Sequence, residues 1–305
     1  MSVYTKIEPQ ELKNFLNHYN LDHLIEYNGI NAGIENTNYF VSTSSGEFVL
    51  TLFEGLTAEE LPYFLKLMAY LAEHNIPSAH PIADKNGEYL RQLKGKPAAL
   101  VERLSGTDVK EPNIIQCQQI GKALGNLHLI SPNFPDYRSN KRGSDWWKIT
   151  AERVLPLMTT ADAKLLKAEL EFQGNYQLVD LPTGVIHADL FRDNALFEGN
   201  KLSGIIDFYY ACNDILIYDL AVTVNDWCVQ ADGSLDTKRV DALVESYIKQ
   251  RPLSDLELET WSTMLRAAAL RFWLSRLQDL HFPRPGEITH IKNPDVFRNI
   301  LQEHI

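Results

Sequence analysis

The stretch that most constrains this chain is residues 185–208. Val185-Ile186 and Ala195-Leu196-Phe197 are apolar runs short enough for buried strands. Between them stands a polar loop, His187-Ala188-Asp189-Leu190-Phe191-Arg192-Asp193-Asn194. Gly199-Asn200 then turns the chain into a second strand, Leu202-Ser203-Gly204-Ile205-Ile206, which delivers Asp207-Phe208. Two core strands and a hairpin therefore fix where a His, several acids and one Asn must gather. The plain alternative is a polar loop between two core strands with no chemistry of its own.

The spacing argues for chemistry. From Asp189 to Asn194 it reads Asp-x-x-x-x-Asn, as in the catalytic loop of phosphoryl-transfer enzymes, and Asp207-Phe208 stands where their metal-binding Asp-Phe-Gly would. Magnesium is a hard cation that takes oxygen ligands and keeps several waters, which suits the Asn194 carbonyl and the Asp207 carboxylate. An acceptor hydroxyl needs a carboxylate beside it to orient it and take its proton, the role expected of Asp189. His187 either joins the catalytic group or holds the loop by bonding to backbone. A metallohydrolase using His187, Asp189 and Asp207 is disfavoured, because no second His stands close by to complete its ligand set.

At 305 residues the chain is long enough for two domains, and 45% apolar with 23% charged residues is an ordinary globular balance. A net charge of -11 argues against nucleic acid as a partner. Cys117, Cys212 and Cys228 are odd in number and widely spaced, which suits reduced thiols and provides no zinc or disulfide framework. Met1–Lys6 lacks the apolar run of a signal peptide, and no stretch is long enough to span a bilayer. The expectation is a soluble cytoplasmic protein acting on a small molecule, without a membrane partner.

Taken in order, the first hundred residues read as a small β-rich lobe. A helix is expected over 8–24, with Leu12, Phe15, Leu16 and Tyr19 on one stripe. Strands follow at Tyr39-Phe40-Val41 and over 47–53, joined by Ser44-Ser45-Gly46. Thr57-Ala58-Glu59-Glu60 has capping-box spacing and opens a helix that Asn75-Ile76-Pro77 stops. Asn86-Gly87 signals a hairpin before a strand over 97–104. The segment from Gly29 through Gly33 and Asn36 to Asn38 is a candidate phosphate-covering loop, since glycine lets backbone N–H groups approach phosphate oxygens; a polar β-turn is the alternative. Thr51 stands where a protein kinase carries a phosphate-contacting Lys, so another residue and magnesium must neutralise that charge unless Thr51 is a bystander. Ser105-Gly106 marks a hinge, and Glu102 and Leu104 are placed by position to meet an adenine. Leu196 and Ile206 complete the set expected around the nucleotide.

Beyond the hinge the chain turns helical: Asn113 caps a helix with an Ile120, Ala123, Leu124 and Leu127 stripe, followed by helices from Ser144 and over 162–172. His128 reads as a satisfied structural histidine. Residues 214–227 read as a loop feeding a buried helix, in which Asp219 either caps the helix or braces the catalytic loop, and Asn225 or Asp226 can face a substrate. Ser254-Asp255-Leu256-Glu257 is a further capping box. In the helix that follows, Arg276 shares a stripe with Leu265, Ala268, Ala269 and Phe272, and a buried Arg requires an anion from protein or substrate.

The loop His187-Ala188-Asp189-Leu190-Phe191-Arg192-Asp193-Asn194 with Ile206-Asp207-Phe208 resembles the aminoglycoside phosphotransferase and choline kinase superfamily. Together with Asn36-Thr37-Asn38-Tyr39, residues 49–54, Val222-Thr223-Val224-Asn225-Asp226-Trp227 and 271–277, it looks like the bacterial homoserine kinase branch. The resemblance runs from about residue 28 to 280 and includes Thr at the Thr51 position. It implies an α+β, bilobal protein-kinase-like fold, with a small antiparallel β-sheet N-lobe and a larger mainly helical C-lobe. Residues 1–104 would form the nucleotide-binding lobe and 105–305 the catalytic and substrate-binding lobe. It also implies ATP and Mg2+ as cofactors and phosphorylation of the L-homoserine hydroxyl in threonine biosynthesis. The zwitterionic substrate would need a cation from Arg192, Arg271 or Arg276 and an anion from Asp193, Asp214 or Asp226. Two rivals stand beside this reading. One is a kinase for another small alcohol such as an aminoglycoside, a sugar derivative, or choline held in a cage of Trp146, Trp147, Trp227 or Trp273. The other is a nucleotide-binding regulator without activity, which the joint presence of Asp189, Asn194 and Asp207 disfavours.

Overall fold

The computed structural model describes residues 4–30, 36–176, 180–283 and 292–305. The chain divides into two units, Met1–Gly106 with Ser203–Ile206, and Thr107–Leu202 with Asp207–Ile305. The return of Ser203–Ile206 to the first unit is signalled by nothing in the sequence; the Ile205 N–H donates to the Pro77 carbonyl at 2.6 Å.

The first unit contains, in order, α1 (Pro9–Leu16), β1 (Leu24–Gly29), β2 (Asn36–Thr43), β3 (Gly46–Phe53), α2 (Leu61–Glu73), β4 (Leu90–Leu93) and β5 (Lys96–Glu102). The strands form one antiparallel sheet in the order β1-β2-β3-β5-β4. Alternation turns Tyr39, Val41, Leu50, Leu52, Ala98 and Leu100 into a core shared with Leu12, Phe15 and Leu16 of α1. Asn38, Phe40 and Thr51 consequently occupy the opposite face. Gly46, at φ 146°, makes the expected β2–β3 turn in a conformation that a side chain would strain.

Two expectations need correction here. The first helix ends at Leu16, short of residue 24. Tighter bonds, from His18 N–H to Phe15 O and from Tyr19 N–H to Leu16 O, close it, and Leu24 is already paired with Thr43 at the sheet edge. Tyr19 keeps its buried place through that turn, its ring tilted against that of Phe15 at 5.3 Å. Asn86-Gly87 forms a turn that the Asp84 carboxylate caps, accepting from the Asn86 and Glu88 amides, but the β4–β5 hairpin turns later, at Lys94-Gly95. Both of those residues have positive φ, as a two-residue hairpin turn of that hand requires. The Thr57 box closes the turn before α2, and Asn75, at φ 62°, ends that helix in the left-handed position.

The second unit contains α3 (Ile114–Ile130), α4 (Ser144–Val154), α5 (Thr160–Asn175), β6 (Thr183–Ile186), β7 (Ala195–Glu198), β8 (Lys201–Ile205), β9 (Cys212–Ile215), α6 (Leu216–Trp227), α7 (Thr237–Ile248), α8 (Asp255–His281) and α9 (Asp295–Glu303). The Asn113 and Ser254 capping boxes are both complete, each contributing about 1 kcal/mol to its helix. The expected hairpin is β7–β8, while β6 pairs with the more distant β9. Helix α3 lies against α7 so closely that a Cβ at Gly125 would stand 2.8 Å from the Tyr247 carbonyl, and one at Gly121 would overlap the Leu243 carbonyl. Helix α8 packs on α4, α5, α6 and α9, which explains why buried residues surround it. Among the described residues, no helix is long and apolar enough to cross a membrane.

Candidate active site

The catalytic loop leaves the end of β6 and is held from beneath by α6. Asp219 and Asp226 are seven residues apart, so both face the loop from one side of that helix. The Asp219 carboxylate accepts the His187 N–H at 2.8 Å on one oxygen and the Ala188 N–H at 2.8 Å on the other. Asp219 thus braces the loop, while Ile215 occupies the cap position of α6. Those bonds hold Ala188 at φ 64°, a left-handed backbone that a non-glycine residue adopts only under constraint. Further along, Trp227 Nε1–H donates to Leu190 O at 3.0 Å, and the Arg192 N–H to Asp226 at 2.8 Å.

A second layer lies behind Asp219. His128 Nε2–H donates to it at 3.1 Å, the Tyr247 hydroxyl donates to His128 Nδ1 at 2.8 Å, and Arg251 donates to the Tyr247 oxygen at 3.1 Å and to Glu257 at 2.8 Å. Burial holds the His128 imidazole below its ordinary pKa, so it is neutral and the proton order along this chain is fixed. For Asp219, burial alone would raise the carboxyl; the bonds from His128 and the His187 amide outweigh it and hold the group below the ordinary carboxylate range. The structural reading of His128 is therefore correct. Tyr247 carried no sequence signal, because its partner lies on a helix far away in the chain.

On its upper side the loop presents Asp189, only partly open to solvent. Asn194 Nδ2 donates to the Asp189 carbonyl at 2.8 Å and to its carboxylate at 3.2 Å, so the two ends of the Asp-x-x-x-x-Asn spacing meet directly. Burial pushes the Asp189 carboxyl up to about 8; Asp207 and Asp193 add to the rise, and Arg271 and Lys292 oppose it. Asp207 is thus near enough to act on Asp189. It has a left-handed backbone, φ 63°, at the start of a short 3-10 turn whose Phe208 ring packs on His187 at 4.6 Å. His187 is fully buried, and its Nδ1 accepts the Asp189 amide at 3.3 Å. It positions the loop and does not face a substrate.

The donor chemistry of Asn194 suits the metal-holding role expected of it. With its amide nitrogen turned to Asp189, Asn194 leaves Oδ1 accepting from no described residue, an oxygen available to a hard cation. The metallohydrolase alternative lacks its ligands: among the described residues no three His, Cys, Asp or Glu side chains gather into a metal-holding group.

The expected substrate residues are placed unequally. Arg192 Nε is paired with Asp226 at 3.1 Å and its Nη1 with the Lys110 carbonyl at 2.9 Å, and Asp193 is paired with Lys292 at 2.6 Å. Arg276 donates to the Asn293 carbonyl at 3.1 Å and covers the Phe297 ring; burial lowers its pKa to about 10, against the pull of Asp226, Asp193 and Asp189. Asn225 turns away from the loop and donates to the Leu265 carbonyl. Asp214 accepts from Asn140 at 2.6 Å, and burial raises its carboxyl. Arg271, 4% exposed, has no hydrogen-bond or ion-pair partner among the described residues. An aromatic cage is not assembled from the tryptophans: Trp227 and Trp273 are buried in the core, and Arg142 covers Trp146.

In the first unit, Thr51 faces Asn38 across β2–β3 and donates its hydroxyl to Asn38 Oδ1 at 2.7 Å. Asn36 Oδ1 accepts the Glu54 amide at 3.3 Å. Lys96 pairs with Glu54, which also accepts from Thr5 and Thr37. Gly29 ends β1 opposite Tyr39, and Gly33 lies outside the described residues. The Glu102 amide donates to His80 O at 2.9 Å, whereas Leu104 has neither backbone group bonded to a described residue. Leu196 lies on β7, and Ile206 follows β8.

Comparison with known proteins identifies the family. The profile of the phosphotransferase enzyme family matches residues 26–253, and the chain belongs to that family. Within it, the homoserine kinase of Methylobacillus flagellatus is 49% identical over all of this chain and 96% of that protein. The homoserine kinase of Neisseria meningitidis is 45% identical over 99% of both. Among solved structures, an amicoumacin kinase in complex with AMP-PNP and Ca2+ superposes with a TM-score of 0.74, covering 98% of this chain and 94% of that one at 16% identity. A spectinomycin phosphotransferase in complex with ADP and spectinomycin gives 0.70, covering 98% and 95% at 15% identity. The fold is thus the kinase-like one that the sequence resemblance implied.

Proposed function

We propose that this protein is an ATP-dependent homoserine kinase that transfers the γ-phosphoryl group of ATP to the side-chain hydroxyl of L-homoserine, in the cytoplasm and in service of threonine biosynthesis. The observation that carries the reaction type is Asn194, whose nitrogen holds Asp189 while its carbonyl oxygen is left for a cation. The choice of acceptor rests on the full-length likeness to homoserine kinases.

A primary alcohol is too weak an acid to attack unaided. Asp189 accepts a hydrogen bond from the hydroxyl, orients the oxygen and receives its proton. Its raised pKa makes it a better proton acceptor than an ordinary carboxylate, once neighbouring cations have drawn it into the ionised form. Asn194 and Asp207 would hold magnesium, which would offset the negative charge developing as the phosphoryl group is transferred. Residues 1–104 are assigned to the nucleotide and 105–305 to catalysis and the acceptor. In the nucleotide set, Leu104, whose backbone groups bond to no described residue, is assigned to the adenine, joined by Gly29, Gly33, Asn36, Asn38, Glu102, Leu196 and Ile206 by their place in the family pattern. Thr51, committed to Asn38, lends no charge, so neutralisation of phosphate falls to the metal.

Coupled-assay ADP production tests the reading. L-Homoserine should exceed L-serine, choline and kanamycin in kcat/KM by roughly 100-fold or more, since a site built for one set of polar groups rejects acceptors that leave them unpaired. No magnesium-dependent ADP release with L-homoserine would sink it.

A further inference from the structure

Of the arginines at positions 192, 271 and 276, only Arg271 is without a hydrogen-bond or ion-pair partner among the described residues. Arg192 is tied to Asp226 and Lys110, and Arg276 to Asn293 and the Phe297 ring. Arg271 is the most buried of them, yet no described carboxylate, carbonyl or hydroxyl receives its five donors. Its guanidinium carbon is 3.7 Å from the Phe272 ring centroid and 5.3 Å from that of Tyr210. These rings fix the guanidinium without neutralising it. A desolvated guanidinium lacking an anion is expensive for a fold to retain, and its planar fork matches a carboxylate in bidentate geometry.

Its position decides what the anion is. Arg271 is the leading charge acting on Asp189, although the two form no ion pair. The Tyr210 ring it meets belongs to the short turn that Asp207 starts, which places the guanidinium in the neighbourhood of the reacting carboxylates. In homoserine, only a short carbon chain separates hydroxyl from carboxylate, so one molecule can meet both groups. The Arg142 guanidinium also stands 5.9 Å from the centroid of the Tyr210 ring, and a second cation nearby disfavours an ammonium there.

We infer that Arg271 is the specificity-determining residue that receives the carboxylate of the acceptor, and that it is what separates this enzyme's amino-acid substrate from amino alcohols and aminoglycosides. The inference rests on the proposed kinase reading and adds which of the candidate arginines recognises the substrate. The two are tested separately by comparing L-homoserine with 3-amino-1-propanol, the same acceptor without its carboxylate, in wild type, Arg271→Gln and Arg271→Lys.

In wild type, kcat/KM for homoserine should exceed that for the amino alcohol by a large factor. In Arg271→Gln this ratio should fall on the order of 100-fold, as expected when one side of a buried charge pair is removed, mostly through the homoserine KM. Arg271→Lys should restore part of it, because a point charge replaces the fork. A protein in which Arg271 only supports the fold would lose both acceptors in proportion, leaving the ratio unchanged; that result overturns the assignment of Arg271 alone. Failure of the wild type to phosphorylate homoserine would instead overturn the function itself. Residual turnover of 3-amino-1-propanol shows that each variant is folded, and Arg276→Ala, with its carbonyl and ring partners, should move the ratio less than about 3-fold.

Discussion

Asp189 is a carboxylate of the loop and Asp219 one of the helix that holds it, and the protein treats them oppositely. Asp219, below, is fully buried and receives the His187 amide, the Ala188 amide and His128. Asp189, above, receives a single side chain, Asn194, and is left near Asp207. The first is held ionised and the second is driven toward its protonated form. A satisfied carboxylate supports structure, whereas an unsatisfied one retained in a fold is reserved for a reacting partner.

The largest expected consequence is at Asp189. Asp189→Asn preserves shape but removes the proton acceptor, and kcat should fall about 1,000-fold while the unfolding free energy at neutral pH rises. The pH dependence should separate the two carboxylates. In the unfolded chain both titrate near pH 4. In ligand-free protein, between there and about 8, folded Asp189 retains a proton that the unfolded chain has released, so it lowers stability progressively as pH rises through that window. Asp219 has a depressed folded pKa, so its contribution is present above about pH 4 and is lost as pH falls through its folded value. Urea unfolding in the presence of a chelator, at pH 5 and pH 8.5, should therefore show a smaller decline in Asp189→Asn than in wild type. Equal declines in both would mean that Asp189 is not the strained member.

Asp219→Ala should cost about 3–5 kcal/mol, because it leaves buried donors without an acceptor. It should also lower kcat about 100-fold by freeing Ala188 from its left-handed backbone and misplacing Asp189. The sign of the stability change is what distinguishes it from Asp189→Asn. A stable but inactive Asp219→Ala would show that the loop holds its shape without the brace.

How far the sequence reveals this contrast depends on whether a partner is local. Asp189, Asn194 and Asp207 lie within one strand–loop–hairpin unit, so their spacing exposes them. The Asn113 and Ser254 boxes are read as easily, since each is complete within four residues. The brace under the loop joins β6, α3, α6 and α7, and no periodicity reports which of two roles Asp219 takes. Arg276 stands out on a tidy apolar stripe of α8, yet that helix is buried on most sides. Stripe position therefore says little there, and Arg271, on another face, is distinguished only once its lack of a partner is seen. The first helix is overextended by the same limitation: Leu12, Phe15 and Tyr19 fit a helix, while Leu24 answers to a strand partner at Thr43 that the local pattern does not contain.

The smallest predicted effect lies furthest from the chemistry. Tyr247 touches neither the loop nor Asp219; it fixes His128 by donating to Nδ1, so that Nε2 carries the proton given to Asp219. Tyr247→Phe removes two hydrogen bonds, those with His128 and Arg251, and leaves Nδ1 unpaired, for about 1–2 kcal/mol of stability. His128 can still donate from Nε2, and Arg251 still has Glu257, so kcat should change by less than about 3-fold while KM for both substrates holds. This separates two accounts of how the loop is held. If Asp219 braces it by direct bonds, effects must diminish steeply from Asp219→Ala to Tyr247→Phe. A Tyr247→Phe variant as slow as Asp219→Ala would mean that the whole chain from Arg251 inward acts as one unit, and that the distinction between the satisfied carboxylate and the reserved one begins at α7.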